Sequence, residues 1–304
     1  MSAQPRFGRL ITAMATPFDE SGALLLDRAG ELAAKLVEEG SEALVINGTT
    51  GESPTLDRAE RIALFHEVLC ATERKIPIIA NVGDNCTHDS VVFAHKVQSL
   101  GVHAVMAVTP YYNKPPQEGL YHHFRRIAAA VDIPVVIYNI PSRCVTNIEP
   151  ETILRLANDV ENIVALKQAL GDMEQLRTIV AGAPEGFEVL SGDDHLTLPM
   201  MREGGTGVIS VLSHICGPQM RRMIDAFVSG DFELAQRIER VIMVLGNALF
   251  ETTSPILVKK ALELRGFNVG GVRLPLIDAT DEQTARLKKV IDTTFAQLGE
   301  LGIT

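Results

Sequence analysis

Short apolar segments alternate with amphipathic helical stretches along most of the chain, and this alternation constrains the fold more than any other feature. A short run of Ile, Val, Leu and Ala bounded by polar residues is typical of a strand buried on both faces. Eight such runs occur, each followed by a helical pattern: residues 10–14, 43–46, 77–80, 104–108, 134–138, 163–167, 187–190 and 207–210. The repeat predicts an α/β fold, a (β/α)8 TIM barrel.

A doubly wound open sheet is the alternative that the same alternation permits. That fold needs a reversal of strand order, which a sequence does not reveal. The loop after the first predicted strand lacks the GxGxxG pattern of a dinucleotide-binding sheet. We therefore favour the barrel.

The strand pattern stops near Gly230, and helical patterns fill the rest of the chain. We predict a catalytic barrel domain over residues 1–230 and a C-terminal helical region over residues 231–304. Packing, a lid over the site and an oligomer contact are all open as roles for this region.

Polar residues at three predicted helix starts are candidate N-caps. Thr55 precedes the helix after the second strand, and Ser254 precedes a helix in the C-terminal region. Thr280 with Gln283 has the spacing of a capping box for the last helix.

Composition excludes several classes of function. The net charge of −10 over 304 residues disfavours non-specific binding to nucleic acid or to an anionic membrane. The N-terminus has no apolar segment of signal-peptide length, and no later run is long enough to span a bilayer. The cysteines form no CxxC pair, which indicates reduced thiols and no structural zinc: Cys70, Cys86, Cys144 and Cys216. We expect a cytoplasmic protein.

Lys167 ends the sixth predicted strand, directly after four apolar residues. Active sites of (β/α)8 barrels lie at the carboxyl ends of the strands. A strand end whose lysine simply reaches solvent is the competing interpretation, since lysines are rarely buried.

Other strand ends have residues suited to a small polar ligand. GTTGES at 48–53 follows the second strand, and its glycines, hydroxyls and amides suit a carboxylate, although a polar loop capping the next helix has the same composition. TPYYNKP at 109–115 follows the fourth strand. Tyr138 lies at the end of the fifth strand, and Arg143 follows in the loop. The alternatives are a packed ring for Tyr138 and a surface charge for Arg143. The planar guanidinium of an arginine is also a natural receptor for a carboxylate.

A lysine, a tyrosine and threonine hydroxyls together suit imine chemistry. Only a free amine attacks a ketone, and burial among apolar strands lowers the lysine pKa from about 10.4. The imine then draws electrons from the neighbouring carbon, and a tyrosine such as Tyr138 can relay the protons. Metal catalysis fits less well. Asp193, Asp194 and His195 form the nearest candidate site, and the histidines lack metal-binding spacing, so we predict neither metal nor cofactor.

Six motifs in order resemble the dihydrodipicolinate synthase and N-acetylneuraminate lyase family of class I pyruvate-dependent aldolases. They are GTTGES at 48–53, TPYYNKP at 109–115, YNIPSR at 138–143, LK at 166–167, SGDD at 191–194 and GVISV at 207–211. The similarity covers essentially the whole chain, including VRLPL at 272–276. It implies a barrel with a C-terminal helical region, assembled as a homotetramer that is a dimer of dimers.

The resemblance also implies roles for individual residues. Lys167 would form the Schiff base with pyruvate, and Tyr138 would donate and accept protons beside the imine. Thr49 and Tyr112 would extend the hydroxyl relay, with Tyr112 reaching a neighbouring subunit's site. The substrate-binding residues would be Thr50, Arg143, Ile209 and Gly192.

The second substrate follows from finer features. Thr49-Thr50 and Arg143 match members that resemble the synthase, whereas sialic acid lyases typically have Ser-Thr and lack the arginine. We therefore favour condensation of pyruvate with L-aspartate-4-semialdehyde in lysine biosynthesis, with Arg143 on the semialdehyde carboxylate. The alternatives are another pyruvate aldolase or a dehydratase acting on a 2-keto-3-deoxy sugar acid or sialic acid, and a non-catalytic ligand-binding relative.

Two departures from the family pattern bear on regulation and on the acceptor pocket. Gln168-Ala169-Leu170 stands where synthases commonly have Glu-Ala-Thr. Arg58 and Arg61 stand at positions of the lysine feedback site that often hold histidine, and two extra cations oppose a bound ammonium. We expect weak or absent inhibition by lysine. The possible regulatory residues are Ser53, Asn85, Asp89 and Tyr111.

Overall fold

The computed structural model describes residues 5–303 and contains a closed barrel of parallel strands. The strands are β1 (Leu10–Ala13), β2 (Ala43–Ile46), β3 (Ile78–Asn81), β4 (Ala104–Val108), β5 (Val135–Asn139), β6 (Ile163–Gln168), β7 (Glu188–Ser191) and β8 (Gly207–Ser210). They neighbour one another in chain order from β1 to β8. This order confirms the (β/α)8 barrel and excludes the open sheet, in which strand order would reverse.

Helices follow the strands and fill the C-terminal region. They are α1 (Leu26–Glu38), α2 (Arg58–Ala71), α3 (Thr87–Gln98), α4 (Gln117–Ala128), α5 (Pro141–Cys144), α6 (Pro150–Asp159), α7 (Met173–Gly182), α8 (Thr197–Arg202), α9 (Ser213–Val228), α10 (Phe232–Ala248), α11 (Ile256–Leu264) and α12 (Asp281–Glu300). Short 3₁₀ turns lie at Ser53–Thr55 and Asp194–Leu196.

The chain divides into two compact units by its internal contacts. The first contains the residues up to Arg9 and Pro77–Ile209, and therefore β3 to β7 and most of β8. Its strands are buried along nearly their whole length, as expected for a parallel sheet covered on both faces. The register of this unit pairs Tyr138 on β5 with Lys167 on β6, so two predicted catalytic residues are neighbours across the sheet.

The second unit contains Leu10–Ile76 and the chain from Ser210 onward. Here β1 pairs with β2, α1 packs on α2, and α10 packs against α9 and α12. The buried side chains of α1 recur at three- and four-residue spacing, at Ala29, Leu32, Ala33 and Leu36. That spacing forms the apolar stripe of an amphipathic helix.

Most predicted element bounds agree with the structure to within two residues. The capping box of Thr280 with Gln283 is present at the start of α12. Thr55 and Ser254 were wrong as N-caps: Asp57 caps α2 in a capping box with Glu60, and Pro255 takes the cap position of α11 without a side-chain bond. The domain boundary at residue 230 stays a prediction. Across residues 5–303, no helix combines the length and the apolar character needed to cross a bilayer.

Candidate active site

Lys167 lies near the carboxyl end of β6 and is only 6% exposed. Its neighbours on the strand, Ala165 and Leu166, are fully buried. Desolvation by these surroundings lowers the pKa of Lys167 from 10.5 to about 8. The alternative interpretation, in which the Lys167 side chain reaches solvent at the strand end, is therefore wrong, because the whole lysine is buried.

The aromatic ring of Tyr138 lies beside this lysine. The Lys167 Nζ lies 4.2 Å from the centroid of the Tyr138 ring. The strand end is held by Thr109, the residue directly after β4, whose backbone amide and hydroxyl donate to the Tyr138 carbonyl at 2.8 and 2.9 Å. Tyr138 is buried and anchored through its backbone beside the amine.

Charged residues near the Lys167 amine shift its pKa. Asp193 and Asp194, in the loop after β7, raise the pKa of Lys167, while Arg143 on α5 lowers it. Burial raises the pKa of Asp193, and the Lys167 and His195 charges act in the opposite direction. The sequence suggested these aspartates only as a weak metal site. Their electrostatic effect on Lys167 was missed, although the SGDD motif directly after β7 was a usable signal.

Side-chain amides lock the ends of β5 and β6 together behind the lysine and tyrosine. The Asn139 amide nitrogen donates to Asn147 Oδ1 at 2.8 Å and to Gln168 Oε1 at 3.1 Å. Asn139 Oδ1 accepts from the Ile148 backbone amide at 3.1 Å, and the Asn147 amide donates to Gln175 at 2.9 Å. Asn139 follows Tyr138 and Gln168 follows Lys167, so these bonds fix the strand positions of the two side chains that the sequence predicted to be catalytic.

Gln168 is incompletely paired in this network. It is fully buried, and its Nε2 has no hydrogen-bond partner among residues 5–303. Gln168 is one of the positions at which the sequence departs from the family pattern.

Gly192 lies where the backbone passes very close to β6. Its amide donates to the Gln168 carbonyl at 2.8 Å, and a Cβ at this position would lie 2.6 Å from the Ala169 Cβ. A side chain would push the loop of Asp193 away from the strand that holds Lys167. Ile209, another predicted substrate residue of this unit, is fully buried on β8.

Tyr112 and Tyr111 lie in the loop between β4 and α4. Tyr112 is 89% exposed and has a φ of +74°, so its ring projects from a strained turn. The next residue fixes the loop, because the Asn113 side-chain Nδ2 donates to the Asn85 backbone carbonyl at 2.8 Å. The bond joins the loop of Tyr111 and Tyr112 to Asn85, and the Tyr112 ring is largely exposed.

The predicted pyruvate loop, Gly48–Ser53, belongs to the second unit. Thr50 is buried and Thr49 half-buried, and the Thr16 hydroxyl donates to the Gly51 carbonyl at 2.7 Å. Of the possible regulatory residues, Ser53 lies in this loop, and its carbonyl accepts from Arg61 at 2.6 Å. Asp89 lies in the first turn of α3, in the first unit.

Between residues 5 and 303, no three His, Cys, Asp or Glu side chains are grouped as metal ligands. Two buried histidines have other roles. His214 accepts from the Ala15 amide and bonds the Val211 carbonyl, and His123 contacts the Thr87 hydroxyl. Burial lowers the pKa of each to about 4.

Comparison with known proteins identifies the family. Residues 6–294 match the family model described as the dihydrodipicolinate synthetase family. The chain is 53% identical to the 4-hydroxy-tetrahydrodipicolinate synthase of Symbiobacterium thermophilum, over 94% of this chain and 98% of that protein. It is 46% identical to the synthase of the same name from Bacillus subtilis, over 94% of this chain and 98% of that one.

Solved structures agree with the sequence comparisons. The structure of DHDPS from Cyanidioschyzon merolae with lysine bound superposes with a TM-score of 0.94 at 44% identity, covering 96% of this chain and 99% of that one. A dihydrodipicolinate synthase from Bacillus anthracis gives a TM-score of 0.93 at 43% identity, covering 95% and 99%. Matches of this extent cover the barrel and the C-terminal helices together. The chain therefore belongs to the dihydrodipicolinate synthetase family, whose members condense pyruvate with aspartate semialdehyde in lysine biosynthesis.

Proposed function

We propose that this protein condenses pyruvate with L-aspartate-4-semialdehyde to 4-hydroxy-tetrahydrodipicolinate, through a Schiff base on Lys167. The observation that supports this most directly is the buried Lys167 amine with its pKa lowered to about 8, 4.2 Å from the Tyr138 ring. At pH 7 about one tenth of such a lysine is the free amine, against well under a thousandth for an exposed lysine.

The chemistry follows from that amine. The Lys167 nitrogen lone pair forms a bond to the ketone carbon of pyruvate, and the ketone oxygen leaves as water once it has been protonated. Loss of a proton from the pyruvate methyl group gives an enamine, whose carbon attacks the aldehyde of the semialdehyde. The semialdehyde's own amine then displaces Lys167 from the imine carbon and closes the ring. Tyr138 is the proposed donor and acceptor of the protons.

The remaining site residues have proposed roles in binding. Arg143 would pair with the carboxylate of the semialdehyde, which suits its electrostatic influence on Lys167 and Asp193. The amides around Thr50 and the backbone near Ile209 would hold the pyruvate carboxylate, with Gly192 close to the substrate. Thr49 and Tyr112 would extend the proton relay from Tyr138.

The proposed assembly is a homotetramer in the cytoplasm. The exposure and positive φ of Tyr112 support it, because a ring projecting from a strained turn is suited to insertion into a neighbouring copy. Light scattering on the purified protein measures the mass. A monomer at assay concentration would contradict both the assembly and the intersubunit role of Tyr112.

Borohydride reduction in the presence of pyruvate, followed by peptide mass mapping, tests the Schiff base. We expect one adduct, on the peptide that contains Lys167, and none in Lys167→Met. Lys260→Met is the control, because Lys260 lies on the surface of α11. The neighbouring Lys259 is buried, which makes Lys259→Met unsuitable for this purpose. An adduct elsewhere, or none, refutes the mechanism.

A coupled assay with a panel of substrates tests the second substrate. We expect condensation of pyruvate with aspartate semialdehyde and at least about a hundredfold lower kcat/KM for cleavage of 2-keto-3-deoxy sugar acids and sialic acid, because the aldehydes formed in that cleavage lack a carboxylate for Arg143. No turnover with the semialdehyde, together with a normal pyruvate adduct, would identify a different pyruvate aldolase.

A further inference from the structure

Glu52, in the loop after β2, is a buried carboxylate in an unusual backbone conformation. Its φ of 54° and ψ of 39° lie in the left-handed region, which costs free energy for a residue with a side chain. Its side chain is 1% exposed. Such a conformation persists only where the surroundings fix it, and here the C-terminal region supplies the contacts.

Lys259 on α11 is the cation for this carboxylate. Its Nζ lies 3.0 Å from Glu52 Oε1 and donates to the Thr16 carbonyl at 2.9 Å and to the Gly271 carbonyl. All three ammonium hydrogens therefore have acceptors, which is the condition for burying a lysine. One acceptor is on the loop after β1, one on the loop after β2, and one within the C-terminal region.

Arg273, in the VRLPL segment, binds the same carboxylate from the other side. Its backbone amide donates to Glu52 Oε2 at 2.9 Å, and its guanidinium donates to the Thr55 carbonyl at 2.7 Å. The guanidinium also forms a two-pronged ion pair with Glu60 on α2. Arg273 thus joins both ends of the Glu52–Thr55 segment to the start of α2.

Phe18 and Thr16 complete the contacts on the inner side. The Phe18 ring contacts both cations, with its centroid 4.5 Å from Lys259 Nζ and 4.3 Å from Arg273 Cζ. The Thr16 hydroxyl holds the Gly51 carbonyl, while the Thr16 carbonyl accepts from Lys259. Consecutive residues of the loop, Gly51 and Glu52, are therefore fixed through Thr16 and Lys259.

We propose that Lys259 and Arg273 are positioning residues which, through Glu52, hold the Gly48–Ser53 loop in the conformation that binds the carboxylate of pyruvate. The proposal rests on the proposed function, which assigns that carboxylate to the amides around Thr50. Backbone amides bind an anion well only when their directions are fixed before it arrives, and Thr50 lies two residues before Glu52. The C-terminal region would then act in binding and not only in packing.

Carboxylate-dependent imine formation tests this role. The concentration of pyruvate that gives half-maximal borohydride trapping on Lys167 is compared with that of acetaldehyde, which forms the same kind of imine but has no carboxylate. Glu52→Gln keeps the shape but replaces one acceptor oxygen by a donor, which then faces either the Arg273 amide or the Lys259 ammonium, and Lys259→Met removes the cation. We expect each variant to need about tenfold more pyruvate, with the acetaldehyde value changed less than twofold.

Lys260→Met is the matched control, because Lys260 lies next to Lys259 on α11 and pairs with Glu263 of the same helix, three residues along. It should leave both probes unchanged. Equal losses for pyruvate and acetaldehyde in Glu52→Gln would mean general loosening of the barrel and would overturn the proposal. An unchanged pyruvate value would overturn it as well.

The design separates this proposal from the one on which it rests. Wild-type protein that forms no pyruvate adduct refutes the proposed function and, with it, the binding role of the loop. Wild-type protein that forms the adduct, with variants that behave like it, refutes only the role of Lys259 and Arg273. Circular dichroism at the assay temperature establishes folding, and Glu52→Gln decides the matter if Lys259→Met fails to fold.

Discussion

Tyr138 and Lys167 are direct partners in the register of β5 and β6, and the lysine amine lies 4.2 Å from the tyrosine ring. Neighbouring strands of a parallel sheet keep such a pair at a fixed separation. The pair therefore needs no loop movement to form, and the adjacent amides of Asn139 and Gln168 hold the two strand ends together.

Removing the Tyr138 hydroxyl should slow proton transfer without displacing the lysine. We expect Tyr138→Phe to lower kcat by about 10² to 10⁴, the usual contribution of a positioned acid–base group. Steady-state assays with both substrates measure it. Tyr121→Phe is the control, since the Tyr121 hydroxyl bonds Asp159 on α6 and should leave kcat within about twofold. A normal kcat in Tyr138→Phe would mean that a group other than the Tyr138 hydroxyl transfers the protons.

The charge of Asp193 should set the pH at which the lysine reacts. Imine formation at low pyruvate should rise with pH and level off above about 8, as the ammonium loses its proton. A nearby carboxylate stabilises the ammonium, so Asp193→Asn should move this inflection to lower pH. The measurement is the rate of borohydride trapping between pH 6 and 9.

Asp132→Asn is the control for that shift. It removes the same charge from an exposed position before β5 and should leave the inflection in place. An inflection that stays fixed in Asp193→Asn, or moves upward, would contradict the electrostatic assignment.

The members of the side-chain amide network around Asn139 should contribute unequally to the free energy of unfolding. Asn139→Ala leaves the buried Ile148 amide without its acceptor and should lower the free energy of unfolding by about 1–3 kcal/mol. Gln168→Met removes an amide nitrogen that has no partner within the described residues and an Oε1 that accepts from Asn139 at 3.1 Å; because Asn139 keeps its 2.8 Å bond to Asn147, the cost should be smaller, about 1 kcal/mol. Urea unfolding followed by circular dichroism compares the two. Equal destabilisation would show that Gln168 is better satisfied than these contacts indicate.

Feedback inhibition by lysine should be weak. Arg58 and Arg61 bring positive charge to the positions expected around the ligand's ammonium, and Arg61 already bonds the Ser53 and Leu56 carbonyls. In steady-state assays, we expect less than half inhibition at millimolar lysine. Arg58→His should strengthen inhibition, because it removes a permanent charge at an exposed position. Strong inhibition at micromolar lysine in the unaltered protein would refute this expectation.

The strand positions were predictable because a buried parallel strand has a simple signature. Ala43–Ile46, Ala104–Val108 and Gly207–Ser210 have the same bounds in the sequence prediction and in the structure. Helix starts were less predictable. Asp57, and not Thr55, caps α2, because only Asp57 has Glu60 three residues ahead to complete a capping box.

The sequence by itself determined the fold class and supplied the candidate catalytic residues. Eight apolar runs with helices between them permit few closed arrangements, and active sites of such barrels are expected at the carboxyl ends of the strands. Tertiary structure alone decided the state of those residues. The burial that lowers the pKa of Lys167, the effect of Asp193 upon it and the contacts of Lys259 and Arg273 with Glu52 join positions far apart in the chain. Such interactions depend on distance and on exclusion of water, neither of which is set by local sequence.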